Sequence, residues 1–214
     1  MGDSAVLATL DGGDVVALAR RAQALARSLD GLRRDDDRWG LAVPGAASVL
    51  VPFDPLALDP ADAARAVARI GRQPVVDSSP GDRRVHDVPV RYGGESGPDL
   101  DAVAAAVGLT PADVVDLHAS VAYEVLFLGF QPGFGYLGEL PAQLVLPRRE
   151  TPRPRVPAGS VAIADRFTAI YPLPSPGGWH LIGQTEVALF DAAREEPVLL
   201  RAGDSVRFVP LGDR

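Results

Sequence analysis

Apolar residues recur at three- and four-residue steps in a stretch near the start of the chain. This spacing predicts an amphipathic helix over residues 14–28, because every third or fourth residue lies on one helix face. Asp14 is placed to cap the helix, and Gly31 stands where a left-handed terminator ends one. The repeating apolar positions are Val15, Leu18, Ala22, Leu25 and Leu29.

A second helix is predicted over residues 61–70 from its flanking residues. Asp59 stands at the N-cap position, Pro60 occupies the first turn, and Gly71 follows the last apolar residue. Proline at the first helical position and glycine just past the end are typical of helix boundaries.

Short β-type runs accompany these helices at residues 5–10, 41–43 and 48–53, the last two separated by Pro44-Gly45. A closing strand at residues 84–91 would complete a split βαβ sheet with both helices on one face. We therefore predict a small α/β domain over residues 1–80. The polar breaker cluster at residues 77–82 is the candidate boundary.

The second half of the chain begins with two short helices and then changes to strands. Gly108 ends a helix over residues 99–107, and Thr110 with Asp113 forms a capping box for a helix over 112–118. Strand-like runs alternating with Gly/Pro turns indicate a closed β-barrel over residues 81–214, and an α+β fold for the whole chain. These runs are residues 123–130, 160–164, 168–171, 187–190 and 205–209.

Composition excludes several classes of chemistry. The 214 residues are 47% hydrophobic and contain no cysteine, so disulfides and thiol nucleophiles are excluded. All 21 basic residues are arginine, which excludes a Schiff-base lysine, a biotinylated lysine and a P-loop lysine. A net charge of −7 argues against a nucleic-acid partner, and with no signal or membrane segment the expected location is the cytoplasm.

The densest block in glycine and aromatic residues is 127–138, which reads FLGFQPGFGYLG. Its glycines rule out a helix and allow the backbone to approach a ligand closely, while Phe130, Phe134 and Tyr136 can form the wall of a pocket. The alternative is a turn at the barrel edge whose aromatic side chains only fill the core.

Arginine and proline dominate the next block, residues 147–157. The prolines predict an extended path, and Arg148, Arg153 and Arg155 can hold a carboxylate or phosphate. The alternative is a solvated linker whose arginines pair with surface carboxylates.

Two further candidates come from residues near these blocks. Tyr171, Ser175, Trp179 and His180 can supply hydrogen bonds and stacking to a small polar ligand. His118 ends a capped helix and is the candidate general acid or base, although a histidine at that position commonly only caps carbonyls.

Four blocks in this order resemble the B-subunit family of 5-oxoprolinase, which includes the Kip-type sporulation-kinase inhibitor and allophanate hydrolase subunit 1 and consists of carboxyltransferase subdomains C and D. The blocks are YGGESGPDL at 92–100, FLGFQPGFGYL from residue 127, PRRETPRPRVPAGSV at 147–161 and SPGGWHLIG at 175–183. The segment AGDSVRFVP at 202–210 is similar to the closing strand of the family.

The resemblance implies a small N-terminal α/β domain followed by a cyclophilin-like β-barrel. It implies ATP-dependent opening of 5-oxo-L-proline to L-glutamate, with ATP as a co-substrate and no metal or biotin site on this chain. It also implies two partners, a larger C subunit of related barrel fold and a lactam-handling A subunit. The expected substrate- or anion-binding residues are Gln131, Tyr136, Arg148, Arg153, Arg155, Ser160, Tyr171, Ser175, Gly177, Gly178, Trp179, His180 and Gln184.

The sequence departs from the family pattern at three places. Residues 2–5 stand where the family usually has an earlier strand, Gln184 stands where an arginine is expected, and Gly135 replaces a proline. The loss of an arginine predicts a less positive pocket. Two other functions remain open, an inhibitor of a sensor histidine kinase and allophanate hydrolase subunit 1.

Overall fold

The computed structural model of the chain describes residues 4–73 and 83–212. The chain divides into two compact units, Met1–Asp82 and Arg83–Arg214. Each unit has a hydrophobic core of its own. The breaker cluster predicted at residues 77–82 lies outside the described residues.

The first unit is a three-stranded antiparallel sheet covered on one face by two helices. Its strands lie in the order β1-β3-β2. Val49 and Val51 point inward from β3 and are fully buried against apolar residues of both helices. The elements are β1 (Ala5–Thr9), α1 (Val15–Asp35), β2 (Val43–Pro44), β3 (Ser48–Pro52) and α2 (Pro60–Gly71).

The predicted helix starts are confirmed, whereas one predicted end is wrong. The carboxylates of Asp14 and Asp59 accept backbone N–H bonds of the first turns of α1 and α2. Helix α1, however, continues through Gly31 to Asp35. Leu32 extends the apolar face onto the core, and this burial outweighs a glycine cost of about 1 kcal/mol.

The closing strand predicted at residues 84–91 does not belong to this sheet. It is β4 (Val85–Tyr92), which pairs in parallel with β12 (Ser205–Pro210) and antiparallel with β11 (His180–Gln184). The split βαβ arrangement is therefore wrong, because the alternating buried Val88 and Val90 of this strand face the core of the second unit.

The second unit is a closed barrel with strand order β11-β4-β12-β5-β6-β9-β8, as the strand spacing predicted. A separate two-stranded pair joins β10 to β7. An α+β fold, with a small α/β unit followed by a barrel, is thus confirmed. The remaining strands are β5 (Ala122–Leu128), β6 (Gly135–Gly138), β7 (Arg153–Val156), β8 (Ser160–Ala164), β9 (Phe167–Ile170) and β10 (Ser175–Gly177).

Strand prediction in this unit fails at four short segments that each contain glycine or proline. Strands β6, β7, β10 and β11 were not predicted, because tertiary pairing overrides the low strand propensity of these short segments. Conversely, the predicted strand at residues 187–190 is wrong. This segment forms a loop, in which a single antiparallel β-bridge joins Phe190 to Val198.

Two short helices complete the unit, α3 (Leu100–Val107) and α4 (Pro111–Ala119). Gly108 ends α3 in the left-handed conformation, and Thr110 with Asp113 forms the predicted capping box of α4. In the described ranges no helix combines the length and apolar character needed to cross a membrane.

Candidate functional site

A cavity of about 100 Å³ lies among the aromatic side chains of the barrel unit, and we call it the aromatic pocket. Its lining residues are Phe130, Phe134, Tyr136, Arg148, Tyr171, Pro176, Gly177, Gly178 and Trp179. Six of the residues expected to bind the substrate or an anion therefore share one cavity with the predicted wall residues Phe130 and Phe134, although three separate blocks of the chain supply them. The six are Tyr136, Arg148, Tyr171, Gly177, Gly178 and Trp179.

A tight turn before β6 forms one wall of the pocket. Phe134 N–H donates to the Gln131 carbonyl at 3.0 Å, and Phe130 has a φ of 69°, which is left-handed backbone that non-glycine residues rarely adopt. Phe130 is 62% exposed, and its ring packs edge to face against the ring of the buried Phe134, with 5.4 Å between the ring centroids. The turn thus holds an aromatic ring at the pocket mouth in a strained conformation.

Close contact between Gly177 and Tyr171 forms the opposite wall. A Cβ on Gly177 would lie 2.3 Å from the Tyr171 hydroxyl oxygen, so only glycine leaves room for the phenol. The neighbouring Gly178 has no such restriction, because a Cβ there would meet its nearest atom at 3.7 Å.

Arg148 provides the positive charge of the pocket. Its Nε donates to Asp165 at 3.2 Å, and both side chains are largely exposed, so this pair contributes little and leaves the other guanidinium N–H groups available. Burial raises the pKa of Tyr136 and of Tyr171, an effect that the Arg148 charge only partly offsets. Both phenols are therefore neutral hydrogen-bond donors at neutral pH.

These groups suit the binding of a small anion. A guanidinium and two phenol hydroxyls can donate to a carboxylate or a phosphoryl oxygen, while the rings of Phe134 and Trp179 cover its apolar part. The lining includes neither a carboxylate nor a histidine to act as a general base. The pocket can therefore bind and orient a ligand without supplying a base of its own.

Arg153, predicted as an anion contact, instead binds a buried carboxylate. Its guanidinium donates to both oxygens of Asp99, at 2.8 and 2.7 Å, and Arg149 donates to Asp99 at 3.0 Å. The Leu181 backbone N–H donates to it as well, at 2.7 Å. Burial alone would raise the pKa of Asp99, but these hydrogen bonds and charges hold it below its usual value. Arg153 thus pairs with a buried carboxylate of this chain.

The other predicted binding residues do not line the aromatic pocket. Gln131 donates to the Leu173 carbonyl at 3.3 Å, and Gln184 donates to the Ala158 carbonyl at 3.3 Å. Gln184 lines a different cavity, of about 270 Å³. His180 Nε2 lies 2.9 Å from the Pro147 carbonyl.

Three more predicted residues stand apart from the pocket lining. Arg155 is exposed on β7. Ser160 is buried within β8, and the Ser175 hydroxyl is buried without a hydrogen-bond partner.

His118, the predicted general acid or base, lies fully buried in the barrel core. Thr168 donates its hydroxyl proton to the Ala162 carbonyl, so it accepts from His118 Nε2 at 2.9 Å. His118 Nδ1 then accepts from the Tyr92 hydroxyl at 2.8 Å. Burial lowers the pKa of His118 to about 3. Because the neutral ring has both nitrogens bonded and no solvent access, we propose a structural role for it.

Sequence reasoning missed Asp99 as the partner of the arginines. Asp99 lies at the N-cap position of α3, yet its side chain makes no capping hydrogen bond there. It binds instead Arg149 and Arg153, which lie 50 and 54 residues further along the chain. No local signal reveals such a pairing. Among the described residues, no group of three or more His, Asp or Glu side chains is arranged to hold a metal ion.

Comparison with known proteins identifies the family. The family described as "Carboxyltransferase domain, subdomain C and D" matches residues 1–200. The chain is 47% identical over 214 residues to the B subunit of 5-oxoprolinase from Escherichia coli O157:H7, a match that covers 98% of this chain and 94% of the relative. It is also 49% identical over 132 residues to the protein of that name from Bacillus subtilis (strain 168), which covers 62% of this chain and 55% of the relative.

Solved structures share the fold. TTHA0988 is 40% identical with a TM-score of 0.82, and the match covers 98% of this chain but only 40% of that protein. Urea carboxylase of Kluyveromyces lactis, at 19% identity and a TM-score of 0.77, shares the fold alone, over 99% of this chain and 21% of its own length. The barrel of the second unit is thus the cyclophilin-like barrel that the resemblance implied. The chain belongs to the carboxyltransferase subdomain C and D family and, within it, to the B-subunit family of 5-oxoprolinase.

Proposed function

We propose that this chain is the B subunit of a 5-oxoprolinase, an enzyme that opens 5-oxo-L-proline to L-glutamate with consumption of ATP. The observation that supports this most is the 47% identity to a 5-oxoprolinase B subunit across nearly the full length of both chains. Similarity that extends from end to end favours the same role in the same kind of complex.

The reaction presents negative charge that a protein has to hold. ATP would transfer its γ-phosphoryl group to the lactam oxygen, and ADP would leave. Water would attack the activated carbon, and the C–N bond would break as the nitrogen takes up a proton. A second water would then release phosphate from the resulting acyl phosphate to give L-glutamate. The substrate also carries a carboxylate. The aromatic pocket, with Arg148 and the hydroxyls of Tyr136 and Tyr171, would hold one of these anionic groups.

This chain would act together with partner subunits. The aromatic pocket has no general base, and with no lysine in the sequence the chain lacks the familiar lysine-bearing phosphate loop. We propose that it assembles with the larger C subunit and the lactam-handling A subunit. These partners would supply the groups that activate water and the lactam.

Reconstitution tests the proposal directly. The three purified subunits are mixed with 5-oxo-L-proline and ATP, and L-glutamate is measured by mass spectrometry. We expect glutamate only when this chain is present; an unchanged rate when it is omitted would refute the proposal. Ammonia released from allophanate would assign the alternative activity instead.

A matched pair of arginine variants tests the pocket. Arg148→Gln removes the guanidinium from the pocket, whereas Arg155→Gln removes an exposed one outside it. We expect Arg148→Gln to lower kcat/KM about 10- to 100-fold, because a charge-assisted hydrogen bond to an anion is lost. Equal effects of the two variants would argue against the aromatic pocket.

A further inference from the structure

The sheet of the N-terminal unit has one face covered by helices and one open face. On the open face, the cross-strand register places Leu7 opposite Leu50 and Leu50 opposite Val43. Three apolar side chains therefore form one row across all three strands. They are 60%, 41% and 47% exposed, for Leu7, Leu50 and Val43 respectively. We call this row with its strand neighbours the apolar sheet face.

The apolar sheet face carries no charge at any outward-facing strand position that the structure describes. Its members are Ala5, Leu7, Thr9, Val43, Ser48, Leu50 and Pro52. The outer barrel surface differs, since the neighbouring strands β4 and β12 carry a paired Asp87 and Arg207 there. A sheet face that meets water normally alternates to polar residues, so an uncharged apolar one indicates a protein contact.

We infer that the apolar sheet face is the docking surface for the larger partner subunit, which would present an uncharged apolar patch to it. This inference rests on the proposed function. Two observations favour a different subunit over a second copy of this chain. The relatives are named as one subunit of an enzyme, and in TTHA0988 the matching region is 40% of a single chain, so most of that protein lies outside the match.

Charge substitutions on the row test this surface. Leu50→Glu and Leu7→Glu place a carboxylate on the row, and Val85→Glu is the matched control because Val85 is 57% exposed on β4 of the barrel. Binding of each full-length variant to the purified larger subunit is measured by calorimetry. We expect Kd to rise about 30-fold or more for the row variants and to change less than about threefold for the control.

Each of four other outcomes would contradict the inference. Wild-type affinity in both row variants would exclude this face as the interface. A dimer of the wild-type chain that the row variants dissociate would place a second copy there. A fall in Tm of the isolated row variants beyond that of the control would place another segment of this chain there. If the wild-type chain binds neither of the partner subunits and yields no glutamate, the proposed function fails too, whereas the first three outcomes leave it standing.

Discussion

Arg153 binds Asp99 through two parallel hydrogen bonds, from Nη1 to Oδ2 at 2.8 Å and from Nη2 to Oδ1 at 2.7 Å. Arg149 adds a third at 3.0 Å. The planar guanidinium fork matches the carboxylate, which a lysine ammonium would not do. This contact fixes the extended arginine-rich segment against the start of α3. Because Arg148 lies in this segment directly before Arg149, the same contact helps to place the arginine that lines the aromatic pocket.

Removal of this guanidinium is expected to destabilise the fold. Arg153→Met leaves the buried Asp99 carboxylate without its bidentate partner, and we expect a loss of about 3 kcal/mol in the free energy of unfolding. Urea denaturation measures it. The control Arg155→Met removes an exposed guanidinium from the same strand and is expected to change stability by less than about 0.5 kcal/mol. Similar losses in both variants would contradict the buried pair.

Acid is expected to weaken the fold through His118. Its pKa is lowered to about 3 by burial, whereas the unfolded chain protonates this histidine near pH 6.5. Between these values the unfolded state binds the extra proton, so stability falls as pH falls, by up to about 1.4 kcal/mol per pH unit. Urea denaturation from pH 7.5 to 5 measures the slope.

A histidine pair separates this effect from general acid sensitivity. His118→Gln is expected to flatten the slope relative to the wild type, whereas His180→Gln, a change at a partly exposed side chain, keeps it. In NMR spectra of the wild type, the His118 ring signals are expected to stay at their neutral positions down to pH 5. A His118 ring that titrates near pH 6.5 would refute its buried neutral state.

Two adjacent glycines are expected to respond differently to the same change. Gly177→Ala places a methyl 2.3 Å from the Tyr171 hydroxyl oxygen and has to displace the phenol, whereas Gly178→Ala meets only ordinary contacts at 3.7 Å or more. We expect Gly177→Ala to raise KM in the reconstituted complex about tenfold or more, because a displaced Tyr171 phenol would no longer donate its hydrogen bond to the ligand. Gly178→Ala is expected to behave as wild type, and equal effects would contradict the packing of Tyr171.

Substitutions of the two phenylalanines in the pocket turn are expected to have different effects on stability and on ligand binding. Phe130→Gly removes a left-handed strain of about 1–2 kcal/mol and a largely exposed ring, so Tm is expected to stay level or rise while ligand affinity falls. Phe134→Ala empties a buried site and is expected to cost about 3–5 kcal/mol. Thermal unfolding distinguishes them; a large loss of stability in Phe130→Gly would show that its ring packs as core.

Local signals in the sequence predicted the helix starts and the barrel. Asp14, Asp59 and Thr110 act within their own turns, so a short stretch of sequence contains the whole interaction. The end of α1 was mispredicted because Leu32 gains burial from a core that the sequence alone does not display. Strand β4 was assigned to the wrong unit for a similar reason, since its register with β12 joins residues 120 positions apart.

The candidate site likewise combines residues that the sequence indicated with contacts that only the fold reveals. The sequence indicated Tyr136, Tyr171 and Gly177 because aromatic side chains commonly line ligand pockets and glycine allows the backbone to approach a ligand closely. Which arginine faces the pocket was not predictable from the sequence. Arg148 lines the pocket and Arg153 is bound to Asp99, a difference that arises from a carboxylate 54 residues away from Arg153.

In a chain without cysteine, the Asp99 carboxylate serves as a cross-link. It joins three stretches that are remote in sequence, at the start of α3, at residues 149–153 and at Leu181 in β11. A disulfide at this place would open with reductant. This ionic link is insensitive to reductants and opens when the carboxylate is protonated, so redox conditions leave the position of the pocket arginine unchanged whereas strong acid releases it.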